Sequence, residues 1–411
     1  MGDAGTGRAD DGAGCPARKL SRPGERLAPP VEQSGSRWVV RSHEVARQVV
    51  RSGASVAQAG FGATEFAAAT ERPRQRGAAG MRSPVLYLEG EEHREQRKAS
   101  ARFFTSRATE AYRDMMDALA EELVRPLADG RPRDVAALSL PMAVQVAARV
   151  VGLTDSLLPG MAGRLEEFFA GDLLGRSRTP RALLRRVRSS TALLRFHHLD
   201  VKPAIRARRR APRDDVISHL LEQGASPMEV LTECVTYAAA GMVTTREFIT
   251  VAAWHLLDDP DLLARYRAAD REGRLALLEE VPRLEPVVGH LYRRTTAPLT
   301  LTADGVDHEL PVGTLLDLDL RAVNADPAAV GAEPLCLRPG RSMTGRGVAP
   351  SVMAFGDGHH RCPGAPIAMM ESEVFLSRLF RDDLVADGPP RVGWNDLTEG
   401  YDLRGLVVRR A

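Results

Sequence analysis

Three things are scarce in this chain of 411 residues: aromatic side chains (5%), cysteines (four) and long apolar runs. The cysteines, Cys15, Cys234, Cys336 and Cys362, lie far apart with no C-x-x-C pair, which excludes a disulfide framework or a zinc ribbon and fits a reducing compartment. No stretch of about 18 apolar residues is present to span a bilayer, and the N-terminus lacks the apolar core of a signal peptide. A cytoplasmic protein without a membrane anchor is expected. Charge of one sign is scarce too: 56 basic and 54 acidic residues leave a formal net charge of +2, so the overall balance asks for neither nucleic acid nor an anionic membrane as partner. The basic run Arg206–Arg210 has no interleaved aromatics and reads as a solvated helix end rather than a nucleic-acid site.

What is present is ample material for a large core, with 44% hydrophobic residues. Residues 1–35, rich in Gly, Pro, Asp and Arg, are expected to form a disordered tail. Residues 36–411 are expected to form one domain, mainly α with a small β region. Apolar residues recur three and four apart over 107–128, 134–152, 155–170, 181–210, 212–223, 227–258, 260–268 and 272–285. Short strand patterns occur at Trp38–Val40, Val85–Leu88, Leu299–Thr302, His308–Pro311 and Leu315–Asp319. The helix 227–258 carries the clearest start, with Ser226 as N-cap, Pro227 at the first helical position and Glu229 completing a capping box. At about 1.5 Å per residue it would span roughly 45 Å, the length of a central element.

The segment Phe355-Gly356-Asp357-Gly358-His359-His360-Arg361-Cys362-Pro363-Gly364 is the most informative. Its glycines allow a tight turn and close approach to a flat object. Its cysteine stands just before the apolar helix expected over 365–380, where helix-end amides favour a thiolate. A small buried cysteine in a glycine-rich turn remains open from the residues alone. So does a zinc site at His359, His360 and Cys362, although adjacent histidines point apart and no second ligand pair stands at a suitable spacing.

Phe355, Gly358, Cys362 and Gly364 match F-x-x-G-x-x-x-C-x-G, and through them the chain resembles the cytochrome P450 family, in its soluble bacterial form. The resemblance implies haem b as cofactor, Cys362 as its axial iron ligand, Phe355 near the sulfur and His360 on a haem propionate. Further matches occur in family order over roughly 90% of the chain. His93 and Arg97 form the H-x-x-x-R pair that meets a propionate, and Arg293, with Arg294 as rival, resembles the strand arginine that does the same. Glu280 and Arg283 resemble the buried E-x-x-R pair completed by a later arginine or similar group. Gly241 and Thr244, in Ala240-Gly241-Met242-Val243-Thr244-Thr245, resemble the oxygen-binding groove, with Thr244 steering protons. Asn324-Ala325-Asp326-Pro327 resembles the turn before the cysteine segment.

One departure stands out: the family's acidic position before the threonine is Val243, which cannot relay a proton. Glu247, one turn on, is a candidate to organise water instead. The resemblance implies a monooxygenase acting on a small organic molecule, plausible in specialised metabolism. Oxidative ring closure or C–C or C–N coupling without oxygen insertion is the alternative, and a non-catalytic haem sensor a third reading. With no flavin motif in the chain, a ferredoxin-type donor and its reductase are the expected electron source, docking on Arg94, Arg97, Lys98, Arg102 and Arg361. A monomer is expected. Substrate contacts are expected from the loop 60–90, the region 160–195, Met242, Val243, Pro298 and Leu299, with Phe61, Phe168 and Phe169 as further candidates.

Overall fold

The capping box at Ser226 forms as read: the Ser226 hydroxyl accepts the Glu229 amide at 3.3 Å, and Glu229 Oε2 accepts the Ser226 amide at 2.7 Å. From there a helix runs through Pro227–Ala238, a π turn at Ala239–Val243 and Thr244–Asp258. The expected single α-helix is therefore continuous in direction but widened in its middle. Ala239, Ala240 and Gly241 offer little side-chain packing there, and the Thr244 hydroxyl donates to the Ala240 carbonyl at 2.5 Å, a back-bond that bends helices.

The structure, a computed structural model, describes residues 17–22, 24–59, 85–169, 179–395 and 398–411. Most of the expected substrate loop, with Phe61, lies outside the described residues. The central helix packs with Val135–Val151, Arg113–Val124 and Ala365–Leu379 around Met116, Met142, Ile249, Val251 and Phe375, all fully buried. A second core lies under a five-stranded sheet ordered Val31–Ser34, Arg37–Val40, Leu315–Asp319, His290–Thr295, Val56–Gln58. The Arg37–Val40 and Leu315–Asp319 strands run parallel, Trp38 opposite Leu316, and the other pairs are antiparallel. The hairpin Leu299–Ala303 with Val306–Leu310 also matches the expected strands. Among the described residues no helix is long and apolar enough to cross a membrane.

Several expectations are corrected. The segment 17–35 is no free tail beyond Pro23, which is not described: Arg18 donates to the carbonyls of Leu284 (2.8 Å) and Arg321 (2.7 Å), Leu20 is buried, and Val31–Ser34 is a strand. Composition weighed its charges as solvation, whereas Arg18 serves as an anchor. Val85–Leu88 is a 3-10 turn at Val85–Tyr87, because Val85 donates its amide to Glu233 of the central helix rather than to a strand. The helix expected from 155 starts at Met161, after Pro159-Gly160. Within the basic run, Arg208 is buried against Asp155 (2.6 Å) and Asp215, so it is a structural ion pair and not a solvated end.

Candidate active site

The cysteine segment folds back on itself: the Cys362 amide donates to the Phe355 carbonyl at 2.8 Å and the Arg361 amide to that of Gly358 at 3.2 Å. Gly356 and Gly358 take φ of +69° and +67°, in the left-handed region. A Cβ at Gly358 would stand 2.5 Å from the Val50 carbonyl oxygen, so the turn needs glycine twice over. Gly358→Ala is expected to cost about 1–3 kcal/mol and to lower the haem-to-protein ratio, read by thermal melting and absorbance. Asp357 secures the turn by accepting the Gly358 amide (2.7 Å) and pairing with Arg51 at 2.8 Å.

Cys362 is an exposed residue, and the Arg97 and Arg361 side chains and the amides of Gly364 and Ala365 lie close to its sulfur. Burial pushes the thiol up, against the amide of Gly364, the Arg97 guanidinium, the amide of Ala365 and Arg361. The helix-end amides expected from the sequence are thus in place, but burial outweighs them, and a bound metal cation is what would complete the stabilisation of a thiolate. Among the described residues no three His, Cys, Asp or Glu side chains converge as a metal set, which leaves the zinc alternative without support.

Basic side chains stand around Cys362. His93 is buried and stacks on His360 with centroids 4.1 Å apart and 28° between planes; burial pushes it down to about 4. Arg97 donates to the Arg361 carbonyl. Arg293 is only 4% exposed, donates to the Tyr292 carbonyl at 2.8 Å, and is pushed down to about 10 by burial, with Glu89 the opposing charge. Its rival Arg294 is half-buried and donates to Gly313, so Arg293 is the inward one. Buried positive charge of this kind calls for an anion.

The central helix presents two different faces. Ala240 is exposed although it lies mid-way along the helix, and Gly241 and Thr244 are half-buried. Met242 and Val243 are buried in the helical core, and Met242 lines a small cavity with Ala147, Cys234 and Ala238. Of the other candidates, Pro298 is exposed, Leu299 packs against the core under the sheet, Phe168 is buried and Phe169 packs on the helical core. Glu247 does not organise water: its carboxylate is fully buried and takes Arg246 (2.9 Å), Arg404 (2.8 Å) and the Leu403 amide (2.7 Å).

Two residues were not singled out from the sequence. Glu371, on the helix after the cysteine, is buried and hydrogen-bonds Thr245, and burial pushes its carboxyl well above the usual carboxylate range. An acid within the apolar run 365–380 was the available signal. Arg341 is the later arginine that completes the E-x-x-R pair. Glu280 takes Arg283 at 2.7 and 2.8 Å and Arg341 at 3.0 Å, while Arg283 also donates to the carbonyls of Asn324 (3.0 Å), Pro334 (2.8 Å) and Cys336 (3.0 Å). Asn324 Oδ1 in turn accepts the Met353 amide (2.9 Å), so the turn at 324–327 helps to hold the approach to the cysteine segment.

An exposed cysteine with amides aimed at its sulfur, the buried Arg293 and other basic side chains nearby, and a helix face of small residues fit a flat, dianionic macrocycle with a central iron. The cytochrome P450 family profile matches residues 275–382. Cyclomarin C epoxidase CymV of Salinispora arenicola (strain CNS-205) is 33% identical over 297 residues, covering 70% of each chain. The structure is similar to that of the hydroxylase HmtN, with a TM-score of 0.72, 23% identity and 95% of both chains covered. It is also similar to P450 OxyD, with a TM-score of 0.70, 26% identity, and 93% of this chain and 92% of that one covered. The chain therefore belongs to the cytochrome P450 family and is a haem b monooxygenase that oxidises a small organic molecule.

Proposed function

We propose that Cys362 is the axial thiolate, that His93, Arg97, Arg293 and His360 hold the haem propionates, and that Phe355, Gly358 and Gly364 shape the loop beneath the ring. The gathering of Cys362, two helix-end amides, the Arg97 and Arg293 guanidinium groups and the stacked rings of His93 and His360 carries this reading. Haem with a thiolate ligand supplies dioxygen activation and insertion of one oxygen atom into a substrate. The chain itself supplies position and protons. The exposed Ala240 leaves room for a guest against the central helix, Gly241 lets that helix pack on Ala147, and Thr244 offers a hydroxyl one turn on from Ala240.

With Val243 unable to relay a proton, Glu371 is the candidate reservoir: its carboxyl is buried and held above the usual carboxylate range, and its partner Thr245 adjoins Thr244. General acid catalysis is worth about 10²–10⁴-fold, and water can replace part of it. Thr244→Ala and Glu371→Gln are each expected to lower product formed per reductant consumed by about tenfold, the balance appearing as hydrogen peroxide. Unchanged coupling in both variants would remove these two residues from proton delivery.

The substrate is proposed to be a specialised metabolite of the size of a macrocycle or peptide. CymV is an epoxidase of cyclomarin C, HmtN a post-tailoring hydroxylase in himastatin biosynthesis and OxyD takes part in making vancomycin-type antibiotics. Val243 favours a second reading, oxidative coupling or ring closure. Turnover under ¹⁸O₂ separates them: oxygenation gives a product carrying one labelled atom, whereas coupling gives an unlabelled product short of two hydrogens. Electrons are proposed to come from a ferredoxin-type protein docking on the exposed Arg94, Lys98, Arg102 and Arg361, with the enzyme a monomer in the cytoplasm.

A further inference from the structure

Glu89 stands at the N-cap of the helix Gly90–Ala101 yet makes no cap hydrogen bond with its own helix. Asp or Ser there would reach back to the helix amides; the extra methylene of glutamate carries the carboxylate elsewhere. Oε1 accepts the Gln58 amide at 2.6 Å, and Gln58 pairs with Arg293 across the sheet. Oε2 lies 3.2 Å from His360 Nε2, not aligned as a hydrogen bond, with side-chain exposures of 17% and 11%. Burial alone would raise this carboxyl, but His360, the Gln58 amide and Arg293 together hold it below the usual range. One carboxylate thus joins the strand Val56–Gln58 beside Arg293, the cysteine segment and the helix that carries His93.

We infer that Glu89 is an internal counter-anion occupying the cationic cradle meant for a haem propionate, a positioning residue that keeps the cradle assembled before haem arrives and competes with the propionate afterwards. The inference rests on the assignment of Arg293 and His360 to a propionate. Its energetics are of opposite sign in the two states. Without haem, Glu89 compensates a buried guanidinium and so stabilises the fold. With haem, it divides the same cations with a second anion and so weakens retention of the cofactor.

Glu89→Gln keeps an acceptor for the Gln58 amide and removes only the charge. Haem loss from the holoenzyme to excess apomyoglobin is expected to slow about three- to tenfold in this variant, while the melting temperature of the apoprotein falls. Glu89→Asp, which withdraws the carboxylate towards its own helix, is expected to slow haem loss in the same direction and serves if Glu89→Gln folds poorly. Both proteins are then reconstituted with haem dimethyl ester, which has no propionate charge. The wild type should lose the ester faster than haem b, and the advantage of Glu89→Gln should vanish. Faster haem loss from both variants, or an equal slowing for both haems, would overturn the role of Glu89. Equal retention of ester and haem b by the wild type would instead remove the propionate assignment itself.

Discussion

Glu280→Gln is expected to destabilise the protein by about 3–5 kcal/mol, as read by denaturant unfolding, with a parallel loss of haem content. The carboxylate is 3% exposed and faces two guanidinium groups, Arg283 and Arg341, that are themselves 0% and 5% exposed. Removing its charge leaves both cations buried without a counter-ion, which costs far more than the pair itself contributes. The loss also spreads along the chain, because Arg283 clamps three carbonyls between Asn324 and Cys336 and so fixes the approach to the cysteine segment. Arg271→Ala supplies the contrast: its pair with Glu110 at 2.6 Å has side chains 36% and 50% exposed, and solvent screening limits the effect to about 0–1 kcal/mol.

Cys362→Ser is expected to leave a folded protein with turnover lowered by at least roughly a thousandfold, about 4 kcal/mol of lost barrier reduction. Serine keeps the size of the side chain, so the turn made by the Cys362 amide and the Phe355 carbonyl should survive. What is lost is the soft anionic donor to iron. Substrate oxidation with a ferredoxin and its reductase measures the effect, and circular dichroism checks the fold. Turnover within tenfold of the wild type would place the iron ligand elsewhere.

Much of this site was legible because its signals are local. The turn at 355–364 is written in its own glycines, and the start of the central helix in four consecutive residues, Ser226 to Glu229. Other features depend on partners remote in sequence. Glu89 acts through Gln58, His360 and Arg293, Arg341 through Glu280, and Glu371 through Thr245; none of these pairings leaves a periodic trace. The widening of the central helix was hidden for a related reason. The π turn at Ala239–Val243 inserts a residue into the α repeat, and its small residues Ala239, Ala240 and Gly241 leave no periodic apolar signal that would mark it. The ordered segment after residue 16 was hidden by composition, which counts Arg18 as a solvated charge and not as a group reaching two buried carbonyls.

The most direct measurement of thiolate ligation is the carbon-monoxide difference spectrum of the reduced, purified protein, recorded beside Cys362→Ser. A strongly red-shifted Soret band in the wild type, absent from the variant, is the expected result. An unshifted band in the wild type, or the same shifted band in both proteins, would contradict ligation of the iron by Cys362.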